Sequence, residues 1–477
     1  MATKKIWLID RFFGGLSDAE KEGPRGSFLH GESLDFRTDP SALGVNVKTA
    51  KQSSTTVTDL PKWIEHDGTN DKTYAYGDTG NWYSESAGTW TAETALTTAA
   101  GQGMSIYDDY LYMRKNAAIA RYGPLSSSPT LTQSWQSSNI QTITTHAPSI
   151  EFQGNLYWGN GRYLAEWDGS IFTYNKLTLP VGWQIRALSK IGDQLVMGGW
   201  KGSTVTDYEK GFLWFWQGTE TSVDSFQDVN EGAVNAMFVL DNNLYYIAGS
   251  QGNIYVYTGN TVRLKKLSTL LMGDDYIEIF PGAMCAHKGD LFIGAAANTD
   301  SNAFVHGVYS YGRLNKNYPR AMNIEHIIST GTKTGTGMKI GAIHSVGPNE
   351  FYIGWKDAST YGIDVVTGTT PYSSAEWQSL IFDNNNPYAS KEIDLVKFTF
   401  KPLAAGESID FYYKLDRASS WTSLGTADTD SDTEKRFPIQ PSKLCKEIQL
   451  RAVLSTSGST APELLSTIVQ FMERRQF

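Results

Sequence analysis

Cysteine is scarce. The 477 residues hold only Cys285 and Cys445, too few for a disulfide framework and too few to build a zinc site by themselves. Cys285, inside the run Ala283-Met284-Cys285-Ala286, reads as a small buried apolar residue. Long apolar runs are missing as well: no segment reaches the ~18 apolar residues of a spanning helix. The apolar part of the opening MATKKIWLIDRFFGG is shorter than a signal h-region. The expectation is a soluble chain made in a cytoplasm, with no membrane insertion. Charged residues are only 19%, and the formal net charge is −9 with a pI near 5.4. That balance argues against a general binder of nucleic acid or anionic membrane, which needs a basic face.

Recognisable chemistry is equally sparse. The histidines, at 30, 66, 146, 287, 306, 326 and 344, show no metal-binding spacing, and no G-x-S-x-G elbow, phosphate-binding loop or Cys/His cluster appears. Asp428, Asp430 and Asp432 alternate like the start of a calcium loop. Thr433 stands where that loop needs Gly, and no bidentate Glu follows at the right distance, so a solvated hairpin tip is expected. No catalytic, cofactor-binding or metal-binding residue is assigned, no cofactor is expected, and the chain is read as a non-enzyme. Paired carboxylates brought together from distant segments would be invisible at this level.

What the chain has in abundance is aromatic residues, 13%, and 45 glycines, a mixture suited to many short strands joined by tight turns. The pattern is plainest from Gly154 to Tyr174, GNLYWGNGRYLAEWDGSIFTY. Leu156-Tyr157-Trp158 is a strand, Gly159-Asn160-Gly161 a turn, Tyr163 to Trp167 an alternating strand, Asp168-Gly169 a second turn, and Ile171 to Tyr174 a third strand. Similar aromatic strands recur around Leu111, Leu156, Leu195, Leu244, Leu291 and Phe351, spaced 45, 39, 49, 47 and 60 residues apart, with a weaker copy at Thr73 to Tyr76. Repeats of roughly 40–50 residues built of short strands mark β-propeller blades. Apolar inner strands precede several copies, as at Ala236 to Val239 and Ile340 to Ile343.

The expected fold is therefore all-β: a six- or seven-bladed propeller over residues 71–370. Residues 1–70 form an extended N-terminal arm able to close the propeller with an early strand. Residues 371–477, with alternation at Val396-Phe398-Phe400, Ile409-Phe411-Tyr413 and Ile448 to Leu454, form a β-sandwich or jelly roll. Trp158, Trp167, Trp200, Trp214 and Trp216 are expected in the packing between blades, with stacking on sugar rings as the alternative. Ser84 to Trp90 is similar to the Asp-box turn of sialidase-like propellers, with Ser86 in place of the aspartate.

Two regions resemble structural proteins of tailed bacteriophages. The opening Phe12-Phe13-Gly14-Gly15-Leu16, followed by Leu34-Asp35-Phe36-Arg37-Thr38-Asp39-Pro40, is similar to the F-x-G-G-[LI] start and D-x-R segment of phage tail propeller proteins. Phe12 fits the spacing, while Phe13 directly precedes the Gly pair. The last hundred residues resemble the same group through Phe398-Thr399-Phe400-Lys401-Pro402-Leu403, Phe411 to Asp416, Trp421-Thr422-Ser423-Leu424-Gly425 and Ala461-Pro462-Glu463-Leu464. The resemblance implies a virion part of the tail nozzle, tail tip or baseplate. Its partners would be copies of itself in a symmetric ring and neighbouring tail proteins, and assembly would take place in the host cytoplasm. If such a ring surrounds DNA, an acidic wall lets the duplex slide without specific binding. The alternative is a receptor- or glycan-binding propeller on the tail, with a host surface glycan as partner.

Overall fold

The structure is a computed structural model describing residues 4–52, 56–97, 100–143, 146–202, 210–267, 276–297, 305–335 and 337–474. It is all-β, with no helix among the described residues. The chain divides into two compact units. One holds Met1–Thr49, Tyr309–Ile327 and Gly368–Phe477, and the other holds Ala50–Val308 and Ile328–Thr367. Along the chain the units meet at residues 49/50, 308/309, 327/328 and 367/368.

The larger unit repeats one meander, and its propeller character follows from strand order. Four-stranded antiparallel sheets run in chain order over 61–92, 103–136, 149–178, 183–229 and 234–266. Lys339–Gly347, Glu350–Asp357 and Thr360–Val366 form a further sheet, completed at its outer edge by the early strand Ala50–Lys51, which pairs Ala50 with Val365. That early strand is the expected closing strand. Met284–His287 and Asp290–Ala297 repeat the inner hairpin once more.

The innermost strands neighbour one another in a closed circuit. The order is Pro61–Asp67, Gly103–Tyr107, Ser149–Phe152, Trp183–Ile191, Val234–Leu240, Met284–His287, Lys339–Gly347 and back to Pro61–Asp67. Each runs the same way along the central axis, because each opens a meander of the same hand.

Alternation explains why the blade strands are apolar on both faces. Leu111 and Met113 pack against Trp63, Tyr74 and Trp82 of the preceding sheet, while Tyr112 packs against Leu156 and Trp158 of the following one. Likewise Leu195 and Met197 face Tyr157, whereas Val196 joins Leu244 and Tyr246. The last interface, where Ile64, Tyr83 and Trp90 meet Ala342, Tyr352 and Ile363, joins the final sheet to the first. The hairpin turns use left-handed pairs, Asp108 and Asp109 (φ 46° and 64°) and Asp241 and Asn242 (φ 51° and 58°). These match the right-handed twist of the flanking strands, and Asp and Asn tolerate that conformation.

The smaller unit has a different plan. Lys4–Ile9, Leu464–Arg474, Ser390–Phe400 and Glu434–Cys445 make one sheet in that order. Gly15–Leu16, Ser27–Glu32, Ser374–Ser379, Ile448–Thr456, Glu407–Leu415 and Thr422–Ala427 make a second. Both contribute to one core, in which Phe398 and Phe471 from the first sheet meet Trp377, Phe411 and Leu450 from the second. The N-terminal stretch adds strands to this unit. Ile6 pairs with Gln470, and Phe12, Phe28, Leu34 and Phe36 enter the shared core.

Candidate functional site

Along the axis of the larger unit lies a funnel of about 470 Å³, walled by the innermost strands. Its apolar walls come from Trp63, Ile150, Leu188, Met237, Phe238 and Ile343. The volume lies within the usual range of small-molecule pockets.

Close backbone approach narrows the axis at the strand starts. A Cβ on Gly282 would lie 2.2 Å from the Lys62 carbonyl oxygen, and one on Gly341 2.1 Å from that of Pro61, so only glycine permits the contact. Trp63 donates its indole N–H to the Gly101 carbonyl (2.9 Å), and its ring stands edge-on to His146, which in turn meets Phe280. Trp63 and Gly282 form the floor, and His146 and Phe280 pack behind Trp63.

The two ends of the axis differ in charge. At the strand starts, Lys62 lies over the Phe280 ring, Arg186 lies 4.4 Å from the centroid of Trp200, and Lys339 pairs with Glu278 at 3.0 Å. Burial lowers the Lys62 ammonium below its usual range, and burial together with nearby Arg186 and Lys62 holds His146 neutral. At the opposite end, the hairpins that follow the innermost strands carry Asp71, Asp108, Asp109, Asp193, Asp241 and Glu350. Lys72, Lys190 and Lys288 are the basic residues there, so that mouth is acidic on balance.

Glu65 lines the funnel itself. The residue is half-buried, and burial pushes its pKa up to about 8, so it is largely protonated at neutral pH. His344, also on the wall, is pushed down to about 4 by burial and by nearby His66. Cys285 belongs to the same wall, and burial raises its thiol far above the ordinary range. A neutral acid and a neutral imidazole thus stand in one cavity of mixed polar and apolar lining.

The other sequence candidates are dispersed. Asp428, Asp430 and Asp432 sit at the connection between Thr422–Ala427 and Glu434–Cys445, where Asp432 pairs with Lys435 at 2.6 Å. No cluster of potential metal ligands occurs among the described residues. Cys445 is buried in the smaller unit with its thiol pushed up to about 12. Ser84 to Trp90 is a hairpin whose Trp90 ring is buried and donates to Gln52 (2.8 Å).

Of the five tryptophans, Trp158, Trp200, Trp214 and Trp216 are buried, and Trp167 is partly covered against Trp135. They belong to interblade packing. A different group reaches the surface: Trp183 stands 4.7 Å from Phe212 and 4.9 Å from Trp214, and Phe212 meets Phe226, which is 65% exposed.

No protein-family model matches the chain, and no curated protein matches it. Among solved structures, it is similar to the extracellular domain of the hybrid two component system BT4673 from B. thetaiotaomicron. That match has a TM-score of 0.47 and 14% identity, covering 80% of this chain. The chain spans 45% of that protein's length. It is also similar to the Swd1 β-propeller domain of Myceliophteria thermophila (TM-score 0.45, 10% identity, 68% of this chain and 99% of that one). A third similar structure is the computationally designed Ika8 protein (TM-score 0.41, 12% identity, 67% and 99%).

Proposed function

We propose that this protein is a non-enzymatic structural component of a tailed-phage virion, a ring protein of the tail nozzle, tip or baseplate. The observation that supports the reading is where the resembling motifs lie. Phe12, Leu34 and Phe36 come from the N-terminal motifs, and Phe398, Phe400, Phe411 and Leu464 from the C-terminal ones, yet all belong to one hydrophobic core. Motifs from opposite ends of the sequence therefore describe a single folded unit. In this reading that unit makes the contacts to neighbouring subunits, and the propeller is a rigid module inserted into it. Mass spectrometry of purified particles, with antibody–gold labelling, tests the proposal. Several copies at a ring in the tail are expected. Absence from mature particles, with the protein free in the lysate, would overturn it.

A second reading, a glycan-binding propeller on the tail, has the surface aromatics Trp183, Phe212 and Phe226 in its favour. Aromatic faces at a surface suit sugar rings, being apolar and rigid. A glycan array probed with the full chain and with Phe226→Ala separates the readings. Binding lost in the variant favours adhesion, and no binding by either removes it.

A further inference from the structure

The axial funnel has no part in a purely structural role, and its chemistry is specific. We propose that it is a binding site for a small organic cation, whose ammonium group pairs with the Glu65 carboxylate in a cavity that Trp63 and Phe238 also line. Four observations converge. The cavity is of ligand size, about 470 Å³, and lies on the axis, where every innermost strand except Gly103–Tyr107 contributes to its walls. Among the described residues, Glu65 is its one carboxyl-bearing lining residue. Indole and phenyl rings attract cations through the negative face of the ring. The mouth carries more Asp and Glu than Lys, which draws cations inward, while the basic groups Lys62, Arg186 and Lys339 belong to the far end beyond the floor.

The other polar groups lining the funnel are His344 and Ser345 on one innermost strand, Lys190 and Ser189 on a second, Cys285 on a third and Ser149 on a fourth. The strand Val234–Leu240 contributes only the apolar Met237, Phe238 and Val239. Lys190 is thus the one permanent cation of the lining, and its ammonium donates to the Glu151 carbonyl at 3.3 Å. An anion entering the funnel would meet an acidic mouth and a carboxyl group. A cation replaces the Glu65 proton and leaves the site neutral.

That exchange makes the site measurable. Glu65 is mostly protonated in the free protein near pH 7. Pairing with a cation favours its ionised form, so binding expels close to one proton. The probe is phenethylammonium, with 2-phenylethanol as its uncharged counterpart. Both are titrated into the full chain by calorimetry at pH 7 in two buffers of different ionisation enthalpy.

The expected result is saturable millimolar-range binding of the amine, at least tenfold tighter than the alcohol, with release of about one proton. Glu65→Gln, checked for folding by its melting curve, is expected to weaken the amine at least tenfold and abolish proton release. Lys190→Glu is expected to tighten it about threefold, as a nearby countercharge should. Equal binding of amine and alcohol would overturn the proposal. So would absence of saturable amine binding, or amine binding that keeps its affinity in the folded Gln variant.

Discussion

The two units solve the problem of burying a β-sheet in opposite ways. In the propeller each sheet is covered on both faces by its sequence neighbours, so its core is a series of small clusters, one per interface, made mostly of residues close in the chain. The remote contacts are those that close the ring, Ala50 with Val365 and the interface of Ile64, Tyr83 and Trp90 with Ala342, Tyr352 and Ile363. The smaller unit has one core, assembled from both ends of the chain, with Lys4 opposite Met472 and Lys5 bonded to Glu473 at 2.5 Å. Local pairing lowers the entropic cost of closing loops, and remote pairing raises it. Distributed cores tolerate local damage, whereas a single core concentrates it.

The strongest way to break this comparison is to open the single core. Phe398 is fully buried and stacks on Phe411 with centroids 4.2 Å apart. Phe398→Ala is expected to cost about 3–5 kcal/mol. Calorimetry should show the smaller unit's transition move down while the propeller's stays. Equal movement of both transitions would show that the units melt as one.

A smaller effect is expected at the closing sheet. Asp364, fully buried beside the closing strand, accepts from the Ser329 backbone N–H and hydroxyl, both at 2.6 Å. Asp364→Ala removes both bonds, leaves the exposed Ser329 donors to water, and should cost about 0.5–1.5 kcal/mol per bond lost, seen as a lower propeller transition. No change would mean that ring closure does not depend on this contact.

Glu65 sharpens the comparison through pH. Its carboxyl ionises near 4.5 in the unfolded chain but near 8 in the folded one. Between those values the unfolded state binds fewer protons, so stability falls as pH rises through that window. Thermal melts between pH 5 and 8 should show this decline in the propeller transition, and Glu65→Gln should flatten it. A decline equally steep in the variant would assign it to other groups. The smallest effect belongs to the surface aromatics: Phe226→Ala should shift stability by no more than about 0.5 kcal/mol, whatever it does to glycan binding.

Much of the propeller was legible because its physics is local. The anchors Leu111, Leu156, Leu195, Leu244, Leu291 and Phe351 are all fully buried, and each belongs to the second strand of a meander. Asp168-Gly169 likewise falls between the strands Tyr163–Trp167 and Phe172–Thr178, with Gly169 at φ 92°. The first innermost strand was missed. Pro61–Asp67 carries Lys62, Glu65, His66 and Asp67 where its counterparts Val234–Leu240 and Met284–His287 are mainly apolar. The charges that hid it from pattern reading are those it presents along the axis. Glu65 therefore had a signal, a carboxylate in an inner-strand position, that could be recognised only after the ring was closed. The partnership of residues 4–49 with the C-terminal strands had no local signal, since pairing as remote as Lys4 with Met472 or Phe28 with Ser379 leaves no periodicity.

The pairing of Ala50 with Val365 also has a mechanical consequence. The chain first enters the larger unit at one of these neighbours and finally leaves it just after the other, having passed through the smaller unit over Tyr309–Ile327. Tension applied between those two points is borne first across that short antiparallel pair, which must part before the ring can open there.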